Sequence, residues 1–520
     1  MCGWDALMLP VMQEHPSHGA RAESLGDEPA VVARSITHNA VSALLVQVVG
    51  AAFTGALTIF LARKLGSHGY GILSLALGVS GLVLLPSDFG VSNSVGRYVA
   101  DHARDHRRVQ AVIADGLRLK LYAAIVVSAI MFALAGVIAG WYDVPALAWP
   151  IRALAISLLA QSLMLSSGLF TAVGRSDLAL RTAFTESLVQ VTAAVALVLA
   201  GAGVTGAAFG QAIGYFAGAT MTGLLLVRLL GRGILPRSLR FGPETRQIAG
   251  YAGALLIVDS AYTVFNQIDV LIIGVYLTAG SVALFSAPMQ LIVFLGYPGV
   301  AMSSGVAPRL SRGTAGGPNV GAFLAGLRLL LVIQALLTAF VIGWGGLMIS
   351  LALGRQYAGA IAVLRALAPF VFLSGFGSLV SVSANFLGEA PKRVPIAIAT
   401  MAINVGLDLF LVPRMGVEGA AIGTDVAFAL YAPAHLVICQ RVLKLDLRPI
   451  GMSFLRTALA GAAATGMLLL FGDSIAIDHL PVTLAGGVLG VSVFVASLFL
   501  TGEITAADVR RATALLPLSR

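Results

Sequence analysis

Stretches of about 20 apolar residues, broken by glycine, proline or short charged runs, recur along this chain from His38 to Leu500. A helix rising about 1.5 Å per residue needs that many to cross a hydrocarbon core about 30 Å thick. Inside the core every backbone N–H and C=O must find a partner without water, which leaves helices and closed barrels as the spanning structures. A barrel strand would show alternation over about ten residues, and no such pattern runs through this sequence. Charged residues are only 11% of the 520, far below what a soluble surface of this size carries. The fold class expected is all-α integral membrane.

About fourteen transmembrane helices are expected, starting near residues 38, 71, 118, 146, 182, 205, 248, 281, 321, 359, 393, 417, 452 and 481. An even count puts both termini on one side, and Lys and Arg mark the cytoplasmic side. With cytoplasmic termini, the tails and inner loops hold 25 of the 33 Lys and Arg residues, among them Arg104, Arg107, Arg108, Arg118, Lys120, Arg237 and Arg240. The outer loops hold Arg63, Lys64, Arg355 and Arg414, and Arg152, Arg328, Arg365 and Arg456 sit within or at the rims of spans. The expected location is the inner (cytoplasmic) membrane. The net charge of +9 follows from this topology, so no nucleic-acid partner is required. Residues 1–37 lack a basic start and a clean apolar stretch, and read as a disordered cytoplasmic tail, with Met8 or Met12 as alternative starts. Cys2 and Cys439 offer no disulfide framework. Asp101, His102, Asp105 and His106 have a ligand-like spacing, but the neighbouring arginines would repel a cation, so a solvated charged helix is expected there.

The chain repeats itself at 212 to 213 residues. Gly203-Val204-Thr205-Gly206-Ala207-Ala208-Phe209-Gly210 matches Gly416-Val417-Glu418-Gly419-Ala420-Ala421-Ile422-Gly423 at six of eight positions. Arg152 falls on Arg365, Arg97 on Arg309 and Leu65 on Leu277. Six spans separate the copies, so both have the same membrane orientation, as parallel repeats do. The expected organisation is an N-terminal six-helix lobe (38–230), a cytoplasmic linker (231–247) and a C-terminal six-helix lobe (248–440), followed by two additional helices (441–502) and a cytoplasmic tail (503–520). Such proteins commonly place their substrate path between the lobes.

Ionisable groups inside a span cost about 2.5 to 3.5 kcal/mol on insertion scales and mark cavities or partners. Asp259, Thr263, Asn266 and Asp269 follow one another at i, i+4, i+7 and i+10 in span 7 and form a stripe that either binds substrate hydroxyls or a coupling cation, or ties helices together. Asp259, Asp269 and Asp408 are the candidate coupling-ion ligands. Glu186 with Gln190, and Asn404 with Asp408, are i,i+4 pairs read mainly as helix contacts. Arg152 and Arg365 are candidates for a phosphate fork, the alternative being snorkelling to outer headgroups. Arg97 and Arg309 stand at the inner rim as anchors or entry contacts. Asp88 is expected to pair with a nearby arginine, and His435 to be a satisfied hydrogen-bonding group.

No nucleotide-binding GxxxxGK[ST] run occurs and no loop offers room for a catalytic constellation, so neither an enzyme nor a cofactor is expected. Leu65-Gly66-Ser67-His68-Gly69-Tyr70-Gly71 resembles the LG-x-x-x-YG signature of the bacterial polysaccharide exporter or O-antigen flippase family. Asp88-Phe89-Gly90 with Arg97, the run Asn266 to Gly274, Leu284 to Ala287, Pro308 to Ser311, and Gly416 to Gly423 are similar to that family in the same order. The resemblance places the chain in the multidrug/oligosaccharidyl-lipid/polysaccharide exporter superfamily. It implies movement of polyprenyl-diphosphate-linked oligosaccharide by alternating access, in the lipid bilayer and alongside other polysaccharide assembly proteins. A cation-coupled exporter of drugs or metabolites, and a non-transporting scaffold, are the alternatives.

Overall fold

Glycine decides where the long helices turn. The structure, a computed structural model, describes residues 28–505 except 89, 103–104, 165–168, 171–174, 236–241, 243, 311–316 and 473–479. Its first helix, Glu28–Asp88, begins inside the segment read as a tail, and its 61 residues would stretch about 90 Å, three times the hydrocarbon thickness. Gly66, at φ 70° and ψ 176°, breaks it into spans 1 and 2 in a conformation that a side chain disfavours. The stretch Ser176–Leu230 likewise doubles back at Gly201 and Gly203 to give spans 5 and 6.

Among the described residues, eleven helical stretches are long and apolar enough to cross a bilayer. Two of them are such doubled helices, and Thr245–Tyr276 adds span 7, which brings the crossings to about fourteen. Spans 3 and 4 are Arg107–Trp141 and Pro145–Leu163; spans 8 and 9 are Ala279–Leu310 and Val320–Gly343. Span 10 is broken into Ala360–Ala366 and Ala368–Phe386 ahead of Pro369. Spans 11 to 14 are Ala390–Met415, Val417–Leu443, Leu447–Phe471 and Pro481–Leu500. Large apolar side chains face outward, such as Trp141 at 76% and Leu470 at 81% exposure, as a lipid-solvated surface requires.

The chain divides into two units, Met1–Ala283 and Leu284–Arg520, with spans 1 to 7 and the first residues of span 8 in the first, and the rest of span 8 with spans 9 to 14 in the second. In the first unit, span 7 lies against a glycine row on span 2. A Cβ on Gly78 would come within 3.2 Å of Leu271 and one on Gly81 within 3.0 Å of Gln267, while one on Gly71 would overlap the carbonyl of Ala279 at the start of span 8. Span 7 is also tied to span 3 at its start. Asp115 accepts the Glu244 N–H at 3.0 Å, Arg108 pairs with Glu244 at 3.3 Å, and Gln110 donates to the Leu230 carbonyl at 2.5 Å. The linker is thereby held to the first unit at both its ends.

In the second unit, span 13 attaches to span 9 through small residues, and span 14 joins them with larger ones. Ala335 and Ala339 of span 9 meet Ala460 and Ala464 of span 13 and Phe494 and Leu498 of span 14 in one buried cluster. Lipid tails are as apolar as these side chains, so close backbone approach, rather than a hydrophobic drive, holds such a contact.

The repeat read from sequence has a counterpart in backbone geometry. Gly203 (φ 56°, ψ −137°) and Gly416 (φ 69°, ψ −145°) take the same left-side conformation at the start of spans 6 and 12. Three and seven residues on, Gly206 and Gly210 abut Leu197 and Ala194 of span 5, while Gly419 and Gly423 abut Leu411 and Asp408 of span 11. The matched octapeptide is the turn and first contact of a helical hairpin in each unit.

Candidate functional site

Polar groups collect inside both units. In the first, Ser80 of span 2, Gln161 of span 4, and Gln211 and Tyr215 of span 6 line a narrow crevice of about 10 Å³. Gln161 donates to Ser157 Oγ at 3.0 Å and Gln211 to the Tyr215 hydroxyl at 3.3 Å. These are neutral donors and acceptors, the complement of sugar hydroxyls. Lower in the same unit, Lys120 of span 3 reaches Asp88 Oδ1 at 2.6 Å and Ser92 Oγ at 2.6 Å, with its side chain 2% exposed. Ser92 in turn donates to Asp88 at 2.7 Å. The sequence leads to an arginine as the partner of Asp88; the observed partner is Lys120, an inner-loop anchor by its position in the sequence. One turn of span 3 past Asp115 carries Lys120 into the bundle, where the helix end at Asp88 meets it.

The second unit holds a basic and aromatic cluster that sequence reasoning missed. Arg393, four residues into span 11, donates from Nη1 to Asn385 Oδ1 at 2.5 Å, from Nη2 to Ser381 Oγ at 2.7 Å, and from Nε to His435 Nε2 at 3.4 Å. His435 Nδ1 lies 2.8 Å from the Tyr431 carbonyl, so Nδ1 carries the proton and Nε2 accepts. The histidine is buried and satisfied, as expected. Tyr431 donates to Ser381 at 2.8 Å, stacks on Phe428 at 5.0 Å, and Phe428 meets Phe370 edge-on at 4.8 Å. Where span 10 breaks, Asp425 of span 12 accepts the Phe370 N–H at 2.9 Å and serves the start of the second half-helix. Broken helices with charged termini are typical of transporter sites. The signal in the sequence was the row Asp425, Phe428, Tyr431 and His435 on one face of span 12.

The residues singled out from sequence fall in separate places. Arg152 lies over the rings of Trp149 at 5.0 Å and Phe132 at 5.7 Å, both on the outer surface of the first unit. Arg365 donates from Nε to the Ile342 carbonyl at 3.0 Å, at the end of span 9. The repeat-related arginines thus have unlike surroundings. Arg97 and Arg309 are exposed. In the span 7 stripe, Thr263 is half-buried, Asn266 exposed and Asp269 buried at 3%, and the side chain of Asp259 lies outside the described residues, as do Arg104, Arg237 and Arg240. Glu186 and Gln190 face Gly218 and Gly214 across the span 5–6 contact, and Asp408 faces Gly423 across the span 11–12 contact. Asp105 caps the helix His106–Trp141 by accepting the Arg107 and Arg108 N–H groups, and no group of three metal-ligating side chains occurs among the described residues.

About fourteen membrane helices with polar clusters enclosed in each unit define a polytopic transporter-class fold. Over residues 36–314, more than half of its length, the chain matches the family described as polysaccharide biosynthesis protein, and it belongs to that family. A Shigella flexneri protein assigned as an O-antigen transporter is 24% identical over 392 residues, covering 72% of this chain and 90% of the relative. A Haloferax volcanii protein assigned as a low-salt glycan biosynthesis flippase is 20% identical over 387 residues, 72% of this chain and 77% of its own. The solved structure of lipid II flippase MurJ in an inward closed conformation superposes with a TM-score of 0.67 at 13% identity, over 87% of this chain and 98% of that one. At that identity the likeness is one of fold.

Proposed function

We propose that the protein is a flippase that carries polyprenyl-diphosphate-linked oligosaccharide across the cytoplasmic membrane for surface polysaccharide synthesis, by alternating access and with both termini cytoplasmic. What supports this reading is membership of the polysaccharide family together with neutral hydrogen-bonding side chains inside the first unit and, inside the second, an arginine fork beside aromatic rings. Sugar rings offer hydroxyls to the first and C–H faces to the second, and a diphosphate takes a planar fork. Asp269 and Asp408 are the buried carboxylates assigned to a coupling cation.

The purified chain in proteoliposomes should move a fluorescent polyprenyl-diphosphate oligosaccharide between leaflets without ATP. Arg393→Lys, which keeps the charge and loses the fork, should slow that movement at least tenfold. Equal rates for parent and empty vesicles would leave a scaffold role; equal rates for parent and variant would remove Arg393 from the path. Replacing Arg152 and Arg365 together by Ala should lower surface polysaccharide at least tenfold while the protein stays in the membrane. Undiminished polysaccharide would make them rim anchors.

A further inference from the structure

The end of span 14 builds a second cationic site, away from the clusters described above. Gly502, at φ +71°, turns the chain, and Glu503 and Ile504 both donate to the Leu498 carbonyl, at 2.9 and 3.3 Å. This turn swings Glu503, read from sequence as the first residue of a free tail, back beneath spans 9 and 13. Its carboxylate is 1% exposed. It accepts Arg328 Nε at 3.1 Å and the Ser453 hydroxyl, and lies 3.7 Å from Arg456 Nη1. Arg328 Nη2 also donates to the Glu503 carbonyl at 2.8 Å.

Two guanidiniums share one carboxylate, so the cluster keeps one net positive charge. The carboxylate is enclosed, whereas the arginine side chains are 52% and 36% exposed. They face a cavity of about 550 Å³ lined also by Pro449, Met452 and Thr505. Beside it, Met452, Leu455 and Leu459 are exposed at 49%, 52% and 56%, forming an apolar strip along span 13 that only lipid tails suit. Both arginines reach Glu503, which follows the end of span 14 at Leu500, and this sets the cluster at the depth where headgroup meets hydrocarbon. A phosphodiester with two acyl chains meets all three features: fork donors, room, and an apolar strip.

We infer that Arg328, Arg456 and Glu503 form a docking site for the headgroup of an anionic glycerophospholipid on the outer face of the second unit. Glu503 holds the two forks in place and limits their charge, so that the lipid is held reversibly. The bound lipid bridges spans 9, 13 and 14 beside the buried cluster of Ala335, Ala339, Ala460, Ala464, Phe494 and Leu498 that already joins them.

The test uses the full chain in detergent, with native mass spectrometry after addition of phosphatidylglycerol, phosphatidylcholine or inorganic phosphate. The parent should retain phosphatidylglycerol at least tenfold better than phosphatidylcholine, and millimolar phosphate should not displace it. Arg328→Gln with Arg456→Gln should abolish the preference. Glu503→Gln is the decisive second variant: it keeps a hydrogen-bonding side chain, frees both guanidiniums, and should raise phosphatidylglycerol retention at least threefold. A preference that survives the double arginine change overturns the site. So does unchanged retention with Glu503→Gln at a lowered melting temperature, since that is the behaviour of an ion cluster that serves the fold alone.

Discussion

Leucine at Gly210 is expected to remove most of the folded protein from the membrane, and leucine at Gly423, where the obstacle is the Asp408 carboxylate, to do less harm. Even a methyl at Gly210 would overlap the backbone N and Cα of Ala194. Backbone cannot rotate aside, so the hairpin must open. Overfilled contacts cost about 1 to 3 kcal/mol when the backbone can adjust, and a leucine against backbone should exceed about 3 kcal/mol. Gly223 and Gly406, which have nothing within 4 Å among the described residues, are the matched controls and should accept leucine. Size-exclusion profiles of detergent extracts read the result. A Gly210→Leu protein eluting as a sharp peak at parental yield would refute the close-contact account.

Lys120→Met should be the most damaging single change at a charged residue of the first unit. It leaves Asp88, 31% exposed at its side chain, beside an apolar replacement and without its 2.6 Å partner. Breaking a buried ion pair from one side costs about 3 to 5 kcal/mol; the partial exposure of Asp88 sets the expectation near the lower figure. Asp88→Asn added to Lys120→Met removes the stranded charge and should recover most of the loss. Thermal unfolding of the purified variants checks it. The account fails if the double variant melts no higher than Lys120→Met.

Much of the fold was legible because glycine and charge act through the backbone and the bilayer. Gly66 and Gly71, prominent in the sequence signature, are respectively the break between spans 1 and 2 and a contact on the Ala279 carbonyl. Gly203 and Gly416 stood out by repetition and share a backbone conformation that disfavours a Cβ. Side-chain destinations were less legible. Arg393 counts as an inner-loop charge by position, yet its long stem carries the fork inward to Asn385 and Ser381. Arg152 and Arg365 occupy matching positions, but one meets aromatic rings and the other a helix-end carbonyl. Glu503 looked like tail because sequence does not reveal that Gly502 folds the chain back under Arg328. Position along a span sets depth; only tertiary neighbours set which way a flexible side chain leans.

The tether of the linker to span 3 bears on how the molecule is made. Glu244 is synthesised 129 residues after Asp115, the residue that receives its N–H. The first turn of span 7 therefore finds its acceptor only if span 3 is already in place when that turn emerges. A nascent chain with span 3 misinserted would display an untethered seventh helix before half of its 520 residues had left the ribosome.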